Sequence, residues 1–440
     1  MKVMKFGGRS LGTPERMLDV VNIISANDES KIIVLSALGG TTQALREIGE
    51  ALQNNRRIQA RNGLKKLETY YREFINGLLQ TNEAKTRACS SIDEHFAFLQ
   101  FILKISYSEA LAKDIVSQGE LMSTVLMSAC MSETKKAHAV LPALDFMQTD
   151  KYHEPQIGNI KVKLTQLLNQ YPDQLTFLTQ GSVCRNHKGE LDNLSSGGSD
   201  YTASSIAAAM GASVCEIWSD IPAMQNNDSS LVGQTKPVET LSFDEAAELA
   251  YFGEKVLHPA SVWPARHYGI TVKLLNTQQP DAAGTAIVNM ADSTGAKVVA
   301  ARDGITSINV KSSRMLMAYG FLQKILEVFE KYKISVDMVT TSEVAVSVTI
   351  DDSEHLPLLA KELEAYGVVS VEENQTIVTI VGNEILHSPD IMKKLFSALS
   401  DIPLQMASYG GSKHNVSLLI PTIYKVKALK GLHEMLFESV

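Results

Sequence analysis

The sequence predicts an α/β protein, with a large, mainly parallel sheet domain followed by two small ferredoxin-like units. Three observations carry that reading. Over about the first 290 residues, short apolar runs alternate with helical patterns, as strand–helix–strand units require. Glycine pairs stand at strand-to-helix junctions, at Gly7-Gly8, Gly39-Gly40 and Gly197-Gly198. The last third changes character and contains an internal repeat.

The elements follow in order. Val3–Phe6 reads as a strand ending in the first glycine pair, and Thr13-Pro14-Glu15 then opens a helix. Thr13 can cap, Pro14 has the fixed φ favoured at the first helical position, and Glu15 suits the positive dipole end. Lys31–Ser36 is a second strand, and the periodicity from about Thr42 to His138 is mostly helical. Leu175–Thr179 returns to strand and meets Gly181. Gly197-Gly198-Ser199-Asp200 opens an Ala-rich helix that stops at Gly211, and Val214–Trp218 is another strand. Ser242-Phe243-Asp244-Glu245 has capping-box spacing before a further helix.

In the last third, a helix over Phe321–Tyr332 leads to a strand Ile334–Met338 and another at Val344–Ile350. A second helix, Asp390–Leu399, leads to Ile402–Met406 and then Val416–Ile420. Ile402 follows Ile334 by 68 residues and Val416 follows Val346 by 70, so the two stretches are copies of one βαββαβ pattern. Each leaves one sheet face needing cover, which the other copy or a second chain can supply. The strand near Ile305–Lys311 is expected to pair with the final one.

Composition narrows the function classes. The net charge of −8 argues against a nucleic-acid binder, which would show a basic domain or stripe. With 45% hydrophobic and 20% charged residues, the chain can bury a substantial core and is not dominated by disorder. No apolar run reaches the ~18 residues of a membrane span, and the first residues lack a signal-peptide pattern. Cys89, Cys130, Cys184 and Cys215 are scattered, which suits a reducing cytoplasm. No histidine spacing indicates a zinc site, and no protein metal ligands are expected.

Glycines at strand ends let backbone approach a ligand, and helix N-termini present free N–H groups to anions. Three such junctions, with Lys5 and Lys255, indicate a polyphosphate. Neither the P-loop pattern nor Gly-x-Gly-x-x-Gly occurs, so a P-loop NTPase and a dinucleotide oxidoreductase are poor fits.

Four segments occur in a telling order: Lys5-Phe6-Gly7-Gly8-Arg9-Ser10, Gln118-Gly119-Glu120-Leu121-Met122-Ser123, Gly197-Gly198-Ser199-Asp200-Tyr201-Thr202-Ala203 and Phe252-Gly253-Glu254-Lys255-Val256-Leu257-His258-Pro259. Together they resemble the aspartate kinases of the amino-acid-kinase superfamily, whose sheet domain is carbamate-kinase-like. Ile334-Ser335-Val336-Asp337-Met338-Val339-Thr340-Thr341-Ser342-Glu343-Val344 is similar to the first ACT domain of the lysine-sensitive branch. The resemblance implies a catalytic domain over 1–292, a first ACT domain over 313–374 and a second formed by 297–312 with 375–440.

It also implies ATP-dependent phosphorylation of L-aspartate to 4-phospho-L-aspartate. Lys5 would contact the transferring phosphoryl group, with Gly7, Gly8 and Ser10 forming its loop. Lys255 would bind nucleotide phosphates, Ser219 and Asp220 would line the nucleotide pocket, and Mg²⁺ would sit chiefly on the phosphates. Asp200 would organise the lysines, and Thr42, Glu120, Gly197, Gly198 and Ser199 would meet the substrate, with Glu120 on its α-ammonium group. Each has an ordinary structural competitor: Lys5 as a solvated lysine, Glu120 as an exposed helical glutamate, Asp200 as a first-turn acid. His258 reads as a packed or capping histidine.

Three departures fall in the site. Arg9 stands where the family has threonine, and Ser196 where it has the arginine that clamps the substrate α-carboxylate. The segment from Asp220 to Ser230 lacks the family's glycine, tyrosine and final arginine. Two readings follow: Arg9 replaces the lost guanidinium and the kinase is active, or the site has decayed into an amino-acid-binding regulatory subunit. Acetylglutamate, glutamate 5- and uridylate kinases form a third, less similar group.

For the effector, Met315, Phe321, Leu322, Asp337, Ser342, Glu343 and Val344 match effector-contacting positions of lysine-sensitive relatives. The acids Asp337 and Glu343 suit a cationic amino acid, while Ala318 replaces a serine often found there. The resemblance implies lysine feedback and a homo-oligomer joined through the ACT domains.

Overall fold

The computed structural model describes residues 1–194, 197–221, 223–251, 259–290, 294–312 and 319–438. The chain divides into two compact units, Met1–Met224 with Val256–Asn289, and Gln225–Lys255 with Met290–Val440. Gln225–Lys255 thus groups with the C-terminal residues, while the sequence expectation set a single domain over 1–292.

Along the chain come β1 (Lys2–Phe6), α1 (Pro14–Ile24), β2 (Lys31–Leu35), α2 (Thr41–Gln53), α3 (Arg57–Leu78), α4 (Asn82–Ile102) and α5 (Glu109–Glu133). Then follow β3 (Ala139–Val140), α6 (Ala143–Phe146), α7 (Ile157–Leu168), β4 (Thr176–Gln180), the hairpin β5 (Val183–Arg185) and β6 (Leu191–Asn193), α8 (Gly198–Met210) and β7 (Cys215–Ser219). After β8 (Thr240–Ser242) and α9 (Phe243–Tyr251) of the second unit, α10 (Pro259–His267), β9 (Val272–Asn276) and β10 (Thr285–Val288) complete the first.

Within the first unit the sheet runs β3-β4-β2-β1-β7-β9-β10. All neighbours are parallel except β9 and β10. Every residue of β2 is buried, as both faces of a parallel sheet are covered. The order reverses at β1, with β2 and β4 on one side and β7 and β9 on the other. Ligands of such sheets bind outside the carboxyl ends of the strands at the reversal.

The N-terminal helix forms as its sequence dictates. Thr13 accepts a hydrogen bond from the Arg16 N–H at 3.3 Å, Pro14 occupies the first turn, and Met17, Val20, Val21 and Ile24 are buried at helical spacing. The long α3, α4 and α5 build one continuous core with α1 and α2, in which Tyr71 meets Phe96 edge-on at 5.7 Å.

In the second unit the Ser242–Glu245 capping box closes as expected. Glu245 accepts from the Ser242 N–H at 2.6 Å and Ser242 accepts from the Glu245 N–H at 3.1 Å. Then come β11 (Gly295–Lys311), α11 (Phe321–Lys331), β12 (Val339–Thr341), β13 (Ala345–Ile350), α12 (Leu356–Leu363), β14 (Val368–Asn383), α13 (Pro389–Ala398), β15 (Met406–Ser408), β16 (Asn415–Pro421) and α14 (Lys425–His433).

They form one six-stranded sheet, β12-β13-β11-β14-β16-β15. The long β11 and β14 run antiparallel through both halves, with register shifts at Arg302/Ile305 and Ile305/Ser307. Each half has its own core, one around Ile325, Val328 and Leu359, the other around Leu395, Leu418 and Leu429.

Two sequence expectations need correction. Thr306–Lys311 pairs with Ala345–Ile350 on one side, and Ile305–Lys311 with β14 on the other, not with the final strand. What β16 pairs with is the Gln375–Val381 part of β14. One seventeen-residue strand serves both copies, which spacing alone did not reveal. Nor are Ile334–Met338 and Ile402–Met406 the edge strands, since these begin at Val339 and Met406. Before Val339 the Met338 N–H donates to the Thr349 side-chain oxygen, and before Met406 Pro403 has no N–H to give. Ile334, Met338, Ile402 and Met406 are buried all the same, so the apolar pattern marked anchors rather than strand bounds.

Candidate active site

The candidate residues gather at the carboxyl ends of the parallel strands. At the end of β1, Lys5 projects its ammonium to Asp200, in the first turn of α8, at 2.6 Å. Both side chains are almost nine-tenths buried. A cation and an anion so placed hold one another against desolvation and fix the lysine in one position.

The loop after β1 packs directly on the loop after β2. A Cβ on Gly8 would stand 2.7 Å from the Ala37 carbonyl oxygen, so no other residue fits there without moving the backbone. Helix α5 closes on the same loop, where a Cβ on Gly119 would stand 2.8 Å from the Ala37 Cβ. That close approach brings Glu120 beneath the crevice.

A cavity of about 460 Å³ opens between these loops, lined by Gly8, Arg9, Thr42, Arg46, Glu120 and Ser199 among others. Gly197 and Gly198 complete one wall. The helices α2 and α8 start beside it from Gly40 and Gly197, and neither has a side-chain cap on its first N–H groups. Two uncapped helix N-termini make this wall receptive to anions. A larger cavity, about 930 Å³, lies over α2 and α3 against Ala44, Ile48 and Tyr70, but it contains none of Lys5, Asp200 or Glu120.

Glu120 is only 5% exposed, and its Oε2 has no hydrogen-bond partner. Burial pushes its carboxyl up to about 7, opposed by backbone hydrogen bonds at Glu120 and Ala37 and by the charge of Arg46. A buried carboxylate with an open oxygen on a cavity is built to receive a cation.

Ser10, Ser219 and Asp220 are brought together on the other side of β1. Thr277, just past β9, donates to Ser10 Oγ at 3.2 Å or to the Ser219 carbonyl at 3.1 Å, and its own N–H bonds that carbonyl at 2.8 Å. Arg9 lines the Glu120 cavity and also faces Asp220. Its side chain is 74% exposed and its guanidinium stands 4.0 Å from Asp220, with Arg16 at 3.9 Å on the other carboxylate oxygen. Asp220 draws the arginine toward the Ser219–Asp220 side. Lys255, His258 and Ser196 lie outside the described residues.

A model of the amino acid kinase family matches residues 1–276, and an ACT domain model matches residues 378–436. The lysine-sensitive aspartokinase 3 of Escherichia coli is 32% identical over 99% of both chains. The chloroplastic aspartokinase 2 of Arabidopsis thaliana is 33% identical over 99% of this chain and 84% of its own. The chain belongs to the aspartokinases. The crystal structure of E. coli aspartokinase III with lysine and aspartate superposes with a TM-score of 0.86 at 30% identity, over 99% of both chains. The same enzyme with aspartate and ADP gives 0.78 at 31%, over 99% of this chain and 100% of that one.

The described residues expected to meet the effector lie in the first half of the six-stranded sheet. Phe321 buries its ring in the core, while Phe321 and Leu322 open α11 from Gly320, which supplies no side-chain cap. Half-buried Asp337 has an unpartnered Oδ2, and burial together with Asp351 pushes its carboxyl up to about 7. Ser342, Glu343 and Val344 are exposed on the turn between β12 and β13, where the Val344 carbonyl accepts from the Ser312 N–H at 2.8 Å. Met315 and Ala318 lie outside the described residues. In the same unit, Ser230 is held in a local turn, donating its hydroxyl to Asp228 at 2.6 Å.

Sequence reasoning missed Thr277 and Arg46. The first was legible as a threonine ending a strand of the parallel sheet. The second follows Thr42 by four residues on one helix, the spacing that places two side chains on one face.

Proposed function

We propose that the chain transfers the γ-phosphoryl group of ATP to the side-chain carboxylate of L-aspartate, giving 4-phospho-L-aspartate and ADP, under feedback by lysine. The observation that carries this is the buried Lys5–Asp200 pair beside a cavity lined by Glu120, whose carboxylate keeps one oxygen without a partner. One group serves a phosphate and the other an ammonium. The E. coli relative with aspartate and ADP, and with aspartate and lysine, supports the same ligands here.

The chemistry asks little of the protein beyond position and charge. The aspartate side-chain carboxylate titrates near ~4, so it is already ionised and needs no general base. One of its oxygens forms a bond to the γ-phosphorus as the bond to the β,γ-bridging oxygen breaks, and ADP leaves with that electron pair. Lys5 neutralises charge on the moving phosphoryl group, and Asp200 keeps Lys5 on target. Gly7, Gly8 and Ser10 shape the phosphate loop, and Ser219 and Asp220 border the nucleotide, with Lys255 assigned to its phosphates. Glu120 holds the α-ammonium, and Thr42, Gly197, Gly198 and Ser199 form the substrate walls.

Among the described residues no group of three or more His, Cys, Asp or Glu could cage a metal ion. Mg²⁺ would be carried on the nucleotide phosphates, where it would shield their charge. For the effector, Asp337 and Glu343 receive the cationic end of lysine, and the start of α11 at Phe321 and Leu322, with Met315, Ser342 and Val344, encloses the rest.

Sheet pairing supports a division of the regulatory region near Arg302 in β11 and Gln375 in β14, with each half a four-stranded ACT domain. The edge strand β12 offers a surface for homo-oligomerisation. Among the described residues no helix is long and apolar enough to cross a membrane. The free cysteines support a cytoplasmic location.

A decayed site is the less supported reading, since Lys5, Asp200 and Glu120 are all in place. Aspartyl hydroxamate formation by the purified chain with ATP and Mg²⁺, falling when lysine is added, is the expected result. No hydroxamate under these conditions would return the chain to a binding role.

A further inference from the structure

An α-amino acid presents an ammonium and a carboxylate on one carbon, so its site needs an anion and a cation side by side. Glu120 supplies the anion, buried and open toward the cavity. Among the described residues, two cationic side chains line that cavity, Arg9 and Arg46. Arg9 is drawn to Asp220. Arg46 has no hydrogen bond or ion pair among the described residues, yet its charge acts on the Glu120 carboxyl.

Arg46 also stands one helical turn after Thr42, and both line the cavity from α2. We propose that Arg46 binds the α-carboxylate of the amino-acid substrate while Glu120 binds its α-ammonium, making Arg46 a specificity-determining residue. The pair then reads the backbone end of the substrate and leaves the side-chain carboxylate directed toward Lys5. A planar guanidinium suits this role because it meets a carboxylate with two parallel N–H groups.

The inference rests on aspartate being the substrate, and the test separates the two. Calorimetry without nucleotide would compare L-aspartate with its α-carboxamide, which keeps the reacting side-chain carboxylate but loses the α-charge. The unaltered protein is expected to prefer aspartate by roughly tenfold or more, the worth of a charged hydrogen bond. Arg46→Gln is expected to abolish that preference, weakening aspartate while leaving the carboxamide and ATP unchanged. Arg9→Thr is expected to keep it. An Arg46→Gln protein that still prefers aspartate by the original factor overturns the inference, as does loss of the preference in Arg9→Thr alone. Binding of neither ligand by the unaltered protein would remove the functional reading, and this inference with it.

Discussion

Glu120 in the first unit and Asp337 in the second are the same device in two settings. Each is a carboxyl pushed up to about 7 by burial, with one oxygen lacking a partner. Their neighbours differ. The charge felt by Glu120 comes from Arg46, whereas Asp337 feels Asp351, which is itself paired with Arg302. An acid beside an arginine suits a zwitterion, and an acid beside an aspartate that already holds its own arginine offers a ligand an anion without a neighbouring guanidinium. On the proposed roles, the two open carboxylates would select different amino acids through what stands next to them.

The comparison breaks most sharply at Lys5. Lys5→Met removes the cation proposed to meet the phosphoryl group and leaves Asp200 buried without its partner. Turnover is expected to fall about 10³-fold, on the scale of losing a strong electrostatic donor, while lysine binding is unchanged. Hydroxamate rates and lysine calorimetry on one preparation check both halves. Lysine affinity lost along with activity would mean that the two sites are not separable.

Next in size is Glu120→Gln. Loss of a buried charged contact costs about 2–5 kcal/mol, so the aspartate KM is expected to rise on the order of 10²-fold, with the KM for ATP unchanged. Asp337→Asn is the matching change on the other side. It is expected to raise the lysine concentration for half-inhibition roughly tenfold and leave the aspartate KM alone. If each variant altered the other site's ligand instead, the assignment of ammonium groups would be reversed.

The smallest effect is on stability. Because the folded-state value of Glu120 is raised, its ionisation opposes folding. That cost is absent below about 4.5, grows with pH, and is complete above about 7. Glu120→Gln is therefore expected to stabilise the ligand-free protein at pH 8, on the order of 1–3 kcal/mol at ~1.4 kcal/mol per pKa unit, and to change nothing at pH 4. Urea denaturation at the two pH values reads this directly.

Much of the site was legible in the sequence because it sits where strands end. Gly7-Gly8 follows a short apolar run and Gly197-Gly198 with Asp200 opens an Ala-rich helix, and local pattern locates such junctions. Lys5 and Asp200 are far apart in the chain, however, and only the parallel pairing of β1 with β2 and β7 brings them within 2.6 Å. Arg46 escaped notice although it follows Thr42 by four residues, because its place beside Glu120 depends on how α2 and α5 pack. The shared strand β11 escaped for a related reason. Both of its halves pair with β14 across register shifts, only Thr306–Lys311 pairs with β13 as well, and strand length alone gives no sign of that.

The most direct test of paired open carboxylates is pH dependence measured at both sites. The account expects kcat/KM for aspartate to fall tenfold per unit as pH drops below about 7, because protonated Glu120 cannot hold an ammonium. Lysine affinity is expected to fall over the same range through Asp337. Glu120→Gln should abolish the first break alone, and Asp337→Asn the second alone. Breaks that persist in both variants would contradict the account.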